Sequence, residues 1–227
     1  MREIVFDTET TGIDPHSGDR MVEIGCIELI NRVPTGRTFH AYFNPCRPMP
    51  LEAERVHGLN DAFLASKNKF DVHALELLEF LADAPLVAHN AQFDFGFLTY
   101  ELGLCGHPEV SLERMIDTLV LARRRHPGAK HSLDALCTRY GVDRSHRTLH
   151  GALLDAELLA QVYVELTGGR QIGLALAADI GAAVLRVAGF KPRIGTFRPA
   201  RPHAASGEEL ARHKAFVQSL DSPLWMQ

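Results

Sequence analysis

Two carboxylates stand one residue apart in Asp7-Thr8-Glu9, directly after the apolar run Ile4-Val5-Phe6. In an extended strand, residues i and i+2 share a face, so Asp7 and Glu9 project together. Adjacent unpaired carboxylates repel, and burial adds a desolvation cost. A cation therefore belongs beside them, either an Arg or Lys in a salt bridge or a divalent metal. An all-oxygen ligand set favours Mg²⁺ or Mn²⁺ over zinc. Two further acids lie in apolar surroundings. Asp94, in HNAQFDFGFL, is flanked by Phe93, Phe95, Phe97 and Leu98, and Asp155, in HGALLDA, by Leu153, Leu154, Leu158 and Leu159. Four such acids, arising at strand ends and helix starts, can converge on one cluster. Two divalent ions about 3.5–4 Å apart would match its charge and clamp a phosphodiester. His150 lies five residues before Asp155, an offset that is not same-face on a regular helix. Placed in a loop just before the helix, it can swing toward the acids. The helix N-terminus and nearby cations favour its neutral form, and a neutral imidazole can take a proton from water. For most of the twelve histidines the plain reading is a side chain without a chemical role; the neighbouring acid sets His150 apart.

The elements that must position these residues follow from the local pattern. Glu3 to Glu9 reads as a strand broken by Thr11-Gly12 and Asp14-Pro15, Met21 to Asn31 as a second, and Arg37 to Phe43 as a third stopped by Asn44-Pro45. Their spacing suits an antiparallel meander. Helical character follows at Leu51–His57, Asp61–Ser66 and Asp71–Ala82, then a short buried strand at Pro85–His89 (PLVAH). Gln92 to Leu102 reads as a helix ended by Gly103, Ser132 to Tyr140 as a helix capped by Gly141, and Gly151 to Leu166 as a long helix stopped by Gly168-Gly169. Strands first, then helices mixed with strands, predict an α/β domain built on a mixed sheet.

The chain has 227 residues, 46% hydrophobic and 23% charged, which suits one core-forming domain of roughly 150–200 residues with some chain beyond it. Cys26, Cys46, Cys105 and Cys137 are far apart and show no zinc spacing, so they read as reduced packing cysteines of a cytoplasmic protein. Charge interrupts the short apolar run at the N-terminus, which does not read as a signal peptide. Asp179, Gly181 and Arg186 interrupt the apolar stretch from Ile172 to Phe190, which excludes a membrane helix reading. The net charge of −4 is unlike that of a stand-alone nucleic-acid binder. Basic residues do gather between Ser111 and Arg147 (Arg114, Arg123, Arg124, Arg125, Lys130, Arg139, Arg144 and Arg147). They form either a solvated helical face or a phosphate-facing patch. Lys191 to Ala205 is rich in Pro and basic residues without apolar period and reads as a flexible linker. Beyond it, Ser206 to Glu209 fits a capping box. Leu210, Phe216, Val217 and Leu220 follow at helical spacing, then Leu224 and the single tryptophan, Trp225. This amphipathic tail either docks back on its own domain or binds a partner.

DTETTG, HNAQFDFGFL, SLDALCTRYGVD and RTLHGALLDAE, in that order, resemble the DEDDh 3′–5′ exonucleases. The likeness covers roughly residues 1–170 well and the remainder more loosely. It implies a ribonuclease H-like mixed sheet with flanking helices, followed by a flexible C-terminal extension. Asp7, Glu9, Asp94 and Asp155 then look like ligands of two divalent ions, Mg²⁺ or Mn²⁺, and His150 like the general base. Thr10 and Thr11 would offer backbone N–H and hydroxyl groups to a DNA 3′ end, and Glu52 and His57 would contact sugar and base. His89, Asn90 and Phe93 would line the same pocket. Members of the family that proofread for a replicative polymerase suggest the rest of the plan. Residues 1–170 would be the exonuclease domain, and 171–190 a segment holding a sliding-clamp peptide, Gln171-Ile-Gly-Leu174-Ala-Leu176. Residues 191–205 would be the linker and 206–227 the tail that docks on the polymerase alpha subunit, with room for a small accessory subunit. Tethering of this kind also suits the acidic charge, because effective concentration then supplies the encounter with DNA. The alternatives are a free-standing DEDDh nuclease trimming RNA or short oligonucleotides, and a non-catalytic replisome scaffold.

Overall fold

The computed structural model describes residues 1–145, 147, 149–169 and 204–220. Its first strand, β1 (Arg2–Thr10), alternates by side-chain face. Ile4 and Phe6 point into one core layer, Val5 into another. Strand β1 pairs antiparallel with β2 (Met21–Ile30), and β2 pairs antiparallel with β3 (Val33–Tyr42). Asn31 and Arg32 join the last two, with φ of 50° and 65°. Two left-handed residues are what a tight type I′ hairpin requires. Helices α1 (Leu51–His57), α2 (Asp61–Leu64) and α3 (Phe70–Leu81) follow. The short buried β4 (Leu86–Ala88) lies parallel to β1, and helix α4 spans Gln92–Leu104. Next come β5 (Met115–Asp117), parallel to β4, then α5 (Thr118–Arg125), α6 (Leu133–Tyr140) and α7 (Ala152–Leu166). The sheet order is β3-β2-β1-β4-β5, the mixed sheet that the residue pattern predicts.

One face of the sheet packs with α3 and α4 through Ile4, Phe6, Ile24, Leu77, Phe95 and Phe97. The other packs on α7 through Val5, Ile27, Leu29, Val87, Leu159 and Tyr163. Helix α7 lies very close to β2. A Cβ added to Gly25 would stand 2.3 Å from Leu153 Cα and N, so only glycine lets the helix start there. Gly25 is the register partner of Asp7, and the close approach sets the first turn of α7 beside the end of β1.

The boundaries differ from the local reading in places. Strand β3 begins at Val33 rather than Arg37. Pro34 and Gly36 hide it in the sequence, but β3 is an edge strand and tolerates proline. Helix α4 runs through Gly103 to Leu104; the left-handed glycine that follows its end is Gly106, at φ 76°. Strand β5 and helix α5 were not anticipated; β5 has three residues, too few to show a period. Cys26 and Cys137 are buried, as expected of packing cysteines, whereas Cys46 is exposed. All four cysteines are free. No helix among the described residues is long and apolar enough to cross a membrane.

The chain divides into two compact units, residues 1–174 and 175–227. In the second, α8 (Gly207–Gln218) begins with the expected capping box between Ser206 and Glu209. Val217 is buried, Leu210 and Phe216 are well exposed, and Leu220 is partly so. Gln171, Leu174, Leu176, Leu224 and Trp225, together with residues 191–203 of the expected linker, lie outside the described residues.

Candidate active site

Strand β1 ends in a register shift between Glu9 and Thr10, which turns the chain away from the sheet. Before that point Asp7 and Glu9 lie on the α7 face, and Thr8 lies on the other. The Thr8 hydroxyl donates to Asp94 Oδ1 at 2.7 Å. Asp94 stands in the first turn of α4, and Asp155 in the first turn of α7. Both carboxylates therefore sit at the positive end of a helix, where negative charge is favoured. Asn90, in the left-handed region at φ 64°, bends the chain between β4 and α4, and its amide is held by Asp117 Oδ1 at 3.1 Å. His150 lies in the loop before α7, as expected. Its amide donates to Val56 O on α1 at 3.2 Å, which ties the loop to the helix carrying His57.

These placements bring Asp7, Glu9, Asp94, His150 and Asp155 into one cleft of about 260 Å³, together with His89, Asn90 and Phe93. One ligating atom each from Glu9, His150 and Asp155 lie within 4.8 Å of one another. Thr10, Thr11, Glu52 and His57 line a second cavity of about 330 Å³, which shares Thr8, Glu9 and Phe93 with the first. The expected site residues thus occupy two adjoining spaces with Phe93 between them.

The acids are costly to hold as anions. Burial, then the charges of Asp94, Glu9 and Asp155, pushes Asp7 well above the usual carboxylate range. Burial first, then Asp155, raises Glu9 to about 8, and burial raises Asp94 to about 7. Four carboxylates in one cleft, all hard oxygen donors, fit divalent cations of the Mg²⁺ type. Among the described residues, the cation that touches the cluster is Arg147. Its Nε and Nη2 donate to Asp155 Oδ1 and Oδ2 at 2.5 and 2.7 Å, and Nη1 donates to Asp134 at 2.6 Å.

The second cavity holds an unused donor. His57 is buried, and its Nδ1 accepts the Leu59 amide at 3.0 Å. The ring proton is thereby placed on Nε2, which has no hydrogen-bond partner among the described residues. Burial pushes the His57 pKa down. The Thr10 backbone opposes that shift, and the ring lines the cavity. Thr11 departs from expectation. Its amide is bonded to Arg20 O at 2.9 Å and its hydroxyl donates to Asp19 at 3.2 Å. The Thr10 hydroxyl donates to Gly12 O at 2.5 Å. These side chains shape the wall rather than present free donors. In the first cleft, His89 Nδ1 sits 2.9 Å from the Thr118 hydroxyl, which itself donates to Ala88 O at 3.1 Å. Thr118 therefore accepts from His89 Nδ1.

The exonuclease family profile matches residues 4–163. The chain belongs to this family. As a member of it, the protein is a nuclease. It is 48% identical over 223 residues to the DNA polymerase III subunit epsilon of Rickettsia felis, covering 97% of each chain. It is 43% identical over 227 residues to the same subunit of Salmonella typhimurium, covering 94% of this chain and 91% of that one. Among solved structures, exonuclease X in complex with 5′-overhanging duplex DNA aligns with a TM-score of 0.57 and 26% identity, over 73% of this chain and 90% of that one.

Within this exonuclease fold, three features had no distinct signal in the sequence. Arg147 is one of eight basic residues between Ser111 and Arg147, and nothing local marks it as the one that enters the cleft. The others divide by role. Arg114 is bonded to the carbonyls of Ala84 and Leu81, and Arg125 to Leu166 O, while Arg123, Arg124 and Lys130 are exposed. Gly25 sits inside an apolar strand. Glu23, buried opposite Glu9 in the register, is bonded to His40 Nε2 at 2.7 Å. Pairing across strands, which no local period encodes, brings that fifth carboxylate to the site.

Proposed function

We propose that this chain is the 3′–5′ proofreading exonuclease subunit of a replicative DNA polymerase. It would hydrolyse the 3′-terminal phosphodiester of DNA and release nucleoside 5′-monophosphates. The observation that carries this reading is the gathering of Asp7, Glu9, Asp94, Asp155 and His150 in one cleft. The relatives named DNA polymerase III subunit epsilon support the choice among exonucleases. Asp7, Glu9, Asp94 and Asp155 would hold two divalent ions, Mg²⁺ or Mn²⁺. When bound, these ions supply positive charge for the attacking and leaving oxygens. His150 accepts the proton of the attacking water. The new P–O bond forms as the bond to the 3′ oxygen of the preceding nucleotide breaks, and that oxygen takes a proton from solvent, leaving a 3′ hydroxyl on the shortened strand. Phe93 offers a face on which the terminal base can stack. His57 Nε2 donates to the terminal nucleotide from the adjoining cavity, and Glu52 stands at its rim. Thr10, Thr11, His89 and Asn90 complete the walls.

The remaining chain serves attachment. Residues 171–190 hold the clamp peptide with Gln171, Leu174 and Leu176, and 191–205 form the linker. Residues 206–227, through Leu210, Phe216, Val217, Leu220, Leu224 and Trp225, bind the alpha subunit of DNA polymerase III in the cytoplasmic replisome.

The test uses the purified chain with Mg²⁺ and a 5′-labelled DNA primer with a mismatched 3′ end, beside a matched primer and single-stranded RNA. Stepwise shortening of the mismatched primer, faster than both controls and lost in Asp7→Ala, is the expected result. RNA degraded as fast would assign the chain to RNA trimming, and no degradation of any substrate would leave only the scaffold.

A further inference from the structure

Arg147 holds two of the groups that hydrolysis requires. Its guanidinium takes both oxygens of Asp155, at 2.5 and 2.7 Å. The same Nη2 lies 2.7 Å from His150 Nδ1, which is 3.1 Å from Asp155 Oδ2. A guanidinium nitrogen can only donate, so toward Nη2 the His150 Nδ1 is an acceptor; Nη2 also lies 3.4 Å from Nε2, and Nδ1 is held between Arg147 and the Asp155 carboxylate. Nδ1 is thus not free to receive a proton from water, and both Asp155 oxygens are engaged. Arg147 is anchored from outside by Asp134 Oδ1 at 2.6 Å, and its side chain is only 9% exposed. Burial opposes the Arg147 charge, but the bonded Asp155 carboxylate raises its pKa above the ordinary value.

We infer that Arg147 is a positioning residue, a built-in counterion that latches Asp155 and His150 and competes with the divalent cation for Asp155. This rests on the metal-site reading above. In the latched state one guanidinium offsets part of the charge of the acid cluster, which limits the repulsion that metal-free carboxylates would otherwise feel. Asp155 exchanges Arg147 for the metal, and the same exchange releases His150 Nδ1. Metal loading and availability of the base are therefore one event. Arg147 swings out on a loop that stays tied to α1 by the His150 amide.

The latch lowers apparent metal affinity in proportion to the fraction of molecules in which it is open. A latch closed nine-tenths of the time costs about tenfold. The experiment is Mn²⁺ binding to the full chain, read from the electron paramagnetic resonance signal of free Mn²⁺, in wild type, Arg147→Met and Arg147→Lys. We expect Arg147→Met to bind Mn²⁺ about tenfold more tightly. Arg147→Lys, which keeps the charge but loses the fork, should fall between them. A residue with a merely structural role would leave the affinity unchanged or weaken it, and either result overturns the latch. A second reading uses wild type alone. The Arg147 Nε–H resonance, slow to exchange without metal, should shift or disappear on saturation with Mg²⁺. Persistence of that signal in the loaded protein overturns the latch even if Arg147→Met does not fold. If wild type binds no Mn²⁺, the metal-site reading fails and the latch falls with it. Binding without a difference in Arg147→Met sinks the latch alone.

Discussion

At the scale of single residues, the site is a set of anions held where they do not want to be. In the metal-free fold, burial first and then neighbouring carboxylates push Glu9 up from an ordinary value of 4.5 to about 8, and burial pushes Asp94 from 3.8 to about 7. Between those values the folded state keeps protons that the unfolded chain has lost. Stability therefore falls as pH rises through that window and levels off above it. The melting temperature of the chain in EDTA should drop by about 5 °C or more from about pH 5 to about pH 8. Glu9→Gln, which cannot ionise, should show a shallower drop, and saturating Mg²⁺ should flatten the profile. A pH-independent melting temperature in EDTA would mean that the carboxylates do not hold these protons. His150→Ala should lower kcat on single-stranded DNA by about 10²–10⁴-fold while leaving Mn²⁺ binding within a few fold. An unchanged rate would remove His150 as the base. Asp7, Glu9, Asp94, His150 and Asp155, which line the cleft, were legible from their types and settings. Arg147 was not, because no local signal separates it from the seven other basic residues of its segment.

At the scale of elements, the site depends on how closely α7 approaches the sheet. Asp155 rides on the first turn of α7, and that turn rests on Gly25, where an added Cβ would meet Leu153 backbone atoms at 2.3 Å. Gly25→Ala must push α7 outward. We expect a loss of about 1–3 kcal/mol of stability, measured by urea unfolding, with weaker Mn²⁺ binding because Asp155 moves from Asp7 and Glu9. Gly103→Ala is the contrast, since its Cβ would enter open space near the end of α4. That change should leave stability equal or raise it by about 0.5 kcal/mol. Equal behaviour of the two variants would show that the helix is not seated by Gly25. Most helices and strands were readable from period and caps. Strand β5, with three residues, was not, because its existence depends on pairing with β4.

At the scale of the whole molecule, the proposed function assigns catalysis to one unit and attachment to the other. Residues 1–174 form one compact unit and 175–227 another, and every proposed site residue of the cleft lies in the first. A chain ending at residue 174 should fold and shorten a free single-stranded DNA at a rate within about twofold of the full chain. The same truncation should abolish co-purification with the polymerase alpha subunit. Loss of activity on the free strand would show that the second unit contributes to catalysis, and retained co-purification would move the alpha contact into the first. The net charge of −4 suits a nuclease delivered to DNA by tethering rather than by its own surface.

The sequence by itself determined which residues could do chemistry. Acids among phenylalanines and leucines need a cation wherever they end up, and period-two and helical patterns put them at strand ends and first turns. It also determined the order of the sheet's first three strands, because short turns leave antiparallel pairing as the simple solution. Only the tertiary structure decided that β4 returns parallel to β1, that a glycine in β2 admits α7, that Glu23 lies opposite Glu9, and that Arg147 and His57 line the two cavities. Those facts arise from contacts between residues far apart in the chain. A contact across the sheet leaves no trace in the local spacing of either partner.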